Sequence, residues 1–182
     1  MREESCLLSS LTYFRPDYMS LCKPHPLWRT AGSSPAKVTK ATVQALLLSG
    51  RYRTEGLMKH WSSNKSGFCL LSRKCNNSVE DIPHFLATCP ALDKRRNELL
   101  CYTAEFASTL PDVVSETLLL LCCPTAPLFI QFILDCSTIP SVIKLSQEFM
   151  QFDILESFFE VSRTWAYALH RERLKLLNRW KS

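Results

Sequence analysis

Four side chains close together in the sequence constrain this chain more than any other feature. Cys69, Cys75, His84 and Cys89 are separated by five, eight and four residues in the stretch GFCLLSRKCNNSVEDIPHFLATCPAL. Three thiolates and an imidazole are donors that zinc takes in a tetrahedron, and a tetrahedron filled by protein leaves no position for water, so such a site is structural. The spacing has a mechanical reading. Cys69 and Cys75 bracket a short turn, and Ser78 is placed to cap a helical turn with Asp81 three residues on. Pro83 falls early in that turn, where its missing N–H costs nothing. His84 then lies on the turn, and Cys89 sits just before Pro90, where the turn has to end. The competing reading is a set of ordinary buried thiols with a packing histidine. Paired zinc cysteines usually stand two residues apart and these stand five apart, so spacing alone leaves both readings open.

The rest of the chain is globular in composition, with 46% hydrophobic and 21% charged residues in a length of 182. That suits one domain, or one domain with a small metal-stapled insert. Only four glycines against ten prolines point to helices punctuated by proline, with few tight hairpins, so the expected class is all-α. Nine cysteines is an odd count, and no leader with a cleavage site opens the chain, which argues for a nuclear or cytoplasmic location and against a secreted disulfide scaffold. The most apolar run, residues 118–134, is interrupted by Pro124 and Pro127 and is short for a bilayer span. It reads as two buried helices, with no membrane partner.

Charge is distributed unevenly. Residues 1–99 carry 15 basic and 8 acidic side chains, residues 100–160 carry one lysine against 8 acids, and residues 161–182 carry 6 bases against one acid. Basic ends around an acidic middle suit a polyanionic partner for the basic parts, although a solvated face is the commoner cause of any one charge run. Between Lys37 and Lys74 eight cations face the single Glu55, interleaved with Tyr52, His60 and Trp61. Cations neutralise phosphates and rings stack on bases, so Arg51, Tyr52, Arg53, Lys59, Arg73 and Lys74 are the candidate contacts to single-stranded nucleic acid. For Trp61 the favoured reading is a core anchor.

In chain order, residues 1–36 read as a short helix near Leu7–Phe14 followed by an extended, proline-rich arm, with His25 a surface or packing residue. Ser34 and Pro35 open a helix that Gly50 ends, and Thr54 caps a second. Pro90 opens a helix whose Lys94, Arg95 and Arg96 form a solvated basic face, and Pro111 stops it. Helices are expected at about 112–122, 125–135 and 139–148, and a long one at about 153–180 with apolar residues at three and four spacing. His170, in the basic last turns, is expected to be exposed. The expectation is therefore an all-α, irregular helical domain with a small Cys3His zinc-knuckle insert and a long C-terminal helix. Its parts are an irregular arm over 1–34, a basic helix plus zinc-knuckle region over 35–110, and a helical region over 111–182 packing on it.

Three phrases carry a resemblance: SGRYRTEGLMKHWS before the cysteines, the HFLATCPAL block, and SRTWAYALHRERLKLL near the end. Together with FRPDYMSLCKPHPLWRTAGSSP they make the chain similar to the C-terminal tail of the reverse transcriptase polyprotein of non-LTR (LINE-type) retrotransposons. In that family the set is regarded as a zinc knuckle that helps the polymerase hold its RNA template. The resemblance implies Cys69, Cys75, His84 and Cys89 as ligands to structural zinc, with Arg51, Tyr52 and Arg53 leading into them. The implied partner is RNA, single-stranded or structured, with DNA the alternative. Polymerase aspartates, an endonuclease constellation, a glycine-rich phosphate loop and a nucleophile elbow are not found, so no enzymatic activity is expected. Two other readings stand beside this one. One is a helical interaction module whose apolar helices pack on a partner or self-associate, and the other a decayed retrotransposon copy with no selected task.

Overall fold

The computed structural model describes residues 23–150 and 153–179, and the fold it shows is all-α. Eight helices run in order through the described residues: α1 (Pro26–Arg29), α2 (Pro35–Leu48), α3 (Glu55–Trp61), α4 (Asp93–Ala107), α5 (Asp112–Leu121), α6 (Phe129–Asp135), α7 (Pro140–Glu148) and α8 (Ile154–Arg179). Tight single turns occupy Arg73–Cys75, Pro90–Leu92 and Cys136–Thr138, and a wider turn occupies His84–Thr88. Among the described residues, extended pairing is confined to one antiparallel bridge, Phe68 with Val79. The helix expected near Leu7–Phe14 lies outside the described residues.

Local chemistry sets most of the boundaries. Pro35 takes the first position of α2, and the helix ends in a left-handed Gly50 (φ +66°) with Arg51 N–H donating to Leu46 C=O and Gly50 N–H to Leu47 C=O. That pair of bonds satisfies the orphaned carbonyls of the last turn, and the left-handed residue between them is naturally glycine. The Thr54 hydroxyl caps α3 by accepting from Leu57 N–H at 3.2 Å. Two elements differ from expectation. Helix α6 starts at Phe129, because Pro124 and Pro127 hold the preceding residues in turns. The arm is not simply extended: His25 caps α1 by accepting from Leu27 N–H, and Leu27 and Ala31 are buried.

Helix α8 is the centre around which the others pack. Its 26 residues span about 39 Å, and Phe158, Phe159, Val161, Trp165, Ala166 and Leu169 are buried on more than one side of it, as in a helix surrounded by others. It packs against α2, α4, α6 and α7. Trp165 stacks edge-on against Phe129 of α6 at 5.3 Å and donates its indole N–H to Thr103 Oγ1 of α4 at 2.9 Å. Gln44 of α2 donates to the carbonyl of Ile133, near the C-terminus of α6, and to Ser162 of α8. Lys37 and Lys40 pair across the interface with Glu156 and Glu160. His25 accepts at Nδ1, so its neutral ring carries the proton on Nε2, which donates to the buried Asp135 at 3.1 Å. Among the described residues no single helix is long and apolar enough to cross a membrane. Phe129–Thr138 with Pro140–Glu148 passes by length and composition only as a pair bent by 46°, and much of that pair is buried in this core.

Replacing Trp165 by Phe removes the indole donor from Thr103 and leaves part of its volume empty. The unfolding free energy should fall by about 1–3 kcal/mol, read as an earlier midpoint in a urea titration followed by helicity.

Candidate metal centre

The four ligand candidates converge because each is held by its own short element. Residues 67–69 and 78–80 lie side by side, with Cys69 N–H donating to Ser78 C=O at 2.9 Å and Glu80 N–H to Gly67 C=O at 3.0 Å. Alternation along this pairing turns Cys69 and Leu71 inward and Phe68 and Leu70 outward. Cys75 ends a tight turn that Ser72 caps, its hydroxyl accepting from Lys74 N–H at 3.1 Å. The chain then reverses through Asn76 and Asn77, both left-handed (φ 46° and 59°), with Ser78 N–H returning to Cys75 C=O at 2.8 Å. Two left-handed central residues closed by that bond make a turn of the type I′ kind.

His84 and Cys89 meet through the wide turn. Cys89 N–H bonds the carbonyl of His84 at 2.8 Å, a span of five residues where an α-helix would use four. On an α-helix residues five apart point about 140° away from each other, whereas the wider winding brings them back to one side. The cap of this turn is Asp81, whose carboxylate accepts from His84 N–H at 2.7 Å. Ser78 is not the cap, because its backbone is committed to the pairing with Cys69. Pro90 then holds Cys89 in an extended conformation. Buried Arg96 donates to the carbonyls of Cys89 and Leu86, so it supports the site from within and is not part of a solvated face.

The resulting Cys3His cluster is buried, with its ligand atoms all within 4.8 Å of one another. Cys89 Sγ lies 3.8 Å from Cys69 Sγ and 3.7 Å from Cys75 Sγ. A disulfide would need about 2.05 Å, whereas sulfurs bonded at about 2.3 Å to a tetrahedral centre stand about 3.8 Å apart. His84 Nδ1 lies 3.3 Å from Thr88 Oγ1, while its Nε2 is buried without a hydrogen-bond partner. An imidazole held at one nitrogen with the other left over in a group of thiols has the arrangement of a metal ligand and its outer partner. The donor set and spacing therefore fit a metal ion.

Protonation points the same way. Cys69 is held down to about 5, first by the hydrogen bond from Cys89, with burial opposing. Cys89 is pushed far above the ordinary thiol range, first because its proton serves the Cys69 thiolate and then by burial, and burial also raises Cys75. Metal binding would require the three thiols to give up their protons.

Behind the cluster stands a polar network that the sequence did not reveal. Tyr52 is 5% exposed, stacks on Phe85 at 5.1 Å and meets His170 Nδ1 through its hydroxyl at 3.0 Å. Burial pushes its phenol up to about 12, with the nearby Arg173 guanidinium opposing. Tyr52 is thus a core anchor, and the expectation that it stacks on a base is corrected. His170 is half-buried, not exposed; burial first, then Arg173 and Arg171, lower its proton affinity. Arg173 grips Glu80 with two donors, Nε at 2.8 Å and Nη2 at 2.9 Å, and also bonds the Arg53 carbonyl at 3.1 Å. The same carboxylate accepts from Glu55 N–H at 2.7 Å at the start of α3. Gly56 presses so closely there that an added Cβ would sit 2.8 Å from the Glu80 carbonyl.

The remaining candidates separate cleanly. Arg51, Arg53, Lys59, Arg73 and Lys74 are exposed and form no ion pair with a described carboxylate. Lys65 is taken by Glu55 at 3.2 Å, and Lys37 and Lys40 by α8. Trp61 is 64% exposed, which corrects its reading as a core anchor. Fold and site together define an all-α protein that packs around one long helix and carries a buried Cys3His cluster beside it. Comparison of the chain with family models, with curated proteins and with solved structures finds no match.

Changing Glu80 to Ala strands a buried guanidinium and an N–H of α3. The cost should be about 3–5 kcal/mol in chemical denaturation, and the double change Glu80→Ala with Arg173→Met should recover a large part of it.

Proposed function

We propose that the Cys3His cluster holds one structural Zn2+ and that the protein is a zinc-stapled nucleic-acid-binding module, with RNA its partner, corresponding to the tail of a LINE-type reverse transcriptase polyprotein. The observation that carries the metal is the unpartnered Nε2 of His84 in a group of thiols spaced as the edges of a zinc–sulfur tetrahedron. Four protein donors leave no coordination position for water, so the ion staples the segment and supplies no nucleophile. Support for a polyanionic partner comes from the five exposed cations Arg51, Arg53, Lys59, Arg73 and Lys74 on and beside the stapled segment. Cations without carboxylate partners gain most by displacing the counterions of a phosphate backbone. The quoted sequence phrases support the retrotransposon origin.

A second reading is a helical interaction module, favoured by the exposed Val113, Leu120, Leu128 and Met150. Its signature is a chain that self-associates and has no affinity for RNA.

Native mass spectrometry of protein purified without added zinc should show one zinc per chain, lost in Cys75→Ser and on chelation, with part of the helicity lost alongside. A metal-free chain that keeps its full helicity would contradict the staple.

Affinity for single-stranded RNA should fall on a log–log plot against salt with a slope of about −0.7 per phosphate neutralised. The double change Arg51→Ala, Arg53→Ala should make that slope shallower by about 1.4. An unchanged slope removes both arginines from the phosphate contact.

A further inference from the structure

Beside the cluster the paired segment leaves an open depression of about 360 Å3, lined by Cys69, Leu70, Ser72, Arg73, Asn76 and Asn77. Sites for small ligands begin at roughly 300 Å3. Leu70 gives it an apolar wall, 48% exposed, and the outward cross-strand pair Phe68 and Val79, 40% and 52% exposed, continues the same outer face. Arg73 lines it and Lys74 follows in the chain, both exposed and neither paired with a described carboxylate. The Asn76 and Asn77 amides bond no other described side chain, although both residues sit in the left-handed region.

That last point favours a ligand with a hydrogen-bonding edge. These two are the only non-glycine residues among those described with positive φ. Asparagine takes the left-handed region more readily than other non-glycine residues, so the turn suits this pair, and it leaves both side chains exposed along the lining of the depression. An amide offers both donors and an acceptor, the pattern that reads the edge of a base.

We propose that this depression seats one unpaired nucleobase of a single-stranded nucleic acid. Leu70 lies against the base, the Asn76 and Asn77 amides meet its edge, and Arg73 and Lys74 hold adjacent phosphates. The proposal rests on the nucleic-acid reading above and adds to it a site and a strand preference. A paired base keeps its faces inside the stack, whereas an unpaired one offers face and edge together. An acidic peptide would satisfy the two cations and its backbone could meet the amides, but it lays no planar base against Leu70.

The test is fluorescence anisotropy with the zinc-loaded full chain, labelled homopolymer RNAs and DNAs, and the corresponding duplexes. Asn76→Gly with Asn77→Gly removes both amides and keeps the left-handed turn, which metal stoichiometry and helicity verify. Single strands should bind more tightly than duplexes, with one homopolymer preferred. The Asn→Gly pair should lower that preferred affinity about tenfold and leave the salt slope unchanged. Arg73→Ala with Lys74→Ala should make the slope shallower and keep the ranking. Equal affinity for duplex and single strand, a ranking unchanged in the Asn→Gly pair, or equal competition by polyglutamate overturns the base site alone. A wild-type chain without affinity for any nucleic acid overturns the nucleic-acid reading and the site with it.

Discussion

One carboxylate holds three parts of this molecule in register. Glu80 receives the fork of Arg173 from the long helix, accepts the first N–H of α3, and through its own backbone closes the pairing that carries Cys69. A buried ion pair is by itself weak support for stability, because two ions must leave water to form it. Its value here lies in direction. A bidentate guanidinium fixes angle as well as distance, so the Cys/His segment meets the long helix in one orientation. Tyr52 fills the space between, with Arg173 5.5 Å from its ring on one side and Phe85, the neighbour of His84, on the other.

The two halves of the structure are organised by different forces. The helical core depends on apolar burial along α8, with a few polar side chains such as Gln44 and Thr103 tying neighbouring helices where they cross. The Cys/His segment has almost no regular backbone and little apolar interior of its own. Its order comes from turns, from one bridge, and from the donors that converge at its centre. Charge follows the same division: the lysines of α2 are spent on α8, while Arg51, Arg53, Lys59, Arg73 and Lys74, on and beside the Cys/His segment, face water.

Much of this was legible in the sequence where the cause was local. Proline and cap residues marked the helix starts, the three-and-four spacing from Ile154 onward marked the long helix, and the four ligands were legible as a set because all fall within a short stretch. What escaped were partnerships made across the fold. Nothing near Arg173 announces Glu80, which lies 93 residues earlier, and a basic helix end is expected on dipole grounds alone. Tyr52, between two exposed arginines, looked like a surface ring because the Phe85 and His170 that enclose it come from distant turns. Trp61 went the other way, since the loop after α3 returns beside the helix without covering it. Ser78 read as the cap with Asp81 as its partner three residues on, whereas Asp81 itself takes the cap because the pairing with Cys69 engages Ser78.

The order of these partners along the chain has a consequence for the newly made protein. All four ligands have been synthesised once Cys89 is in place, whereas Arg173 follows 84 residues later. At about 5–20 residues per second that interval is roughly 4–17 s, in which the Cys/His stretch can order around a metal while the Glu80 carboxylate still faces water. With a metal bound as proposed, the Cys/His stretch would be a unit able to order before the long helix, made last, docks on it.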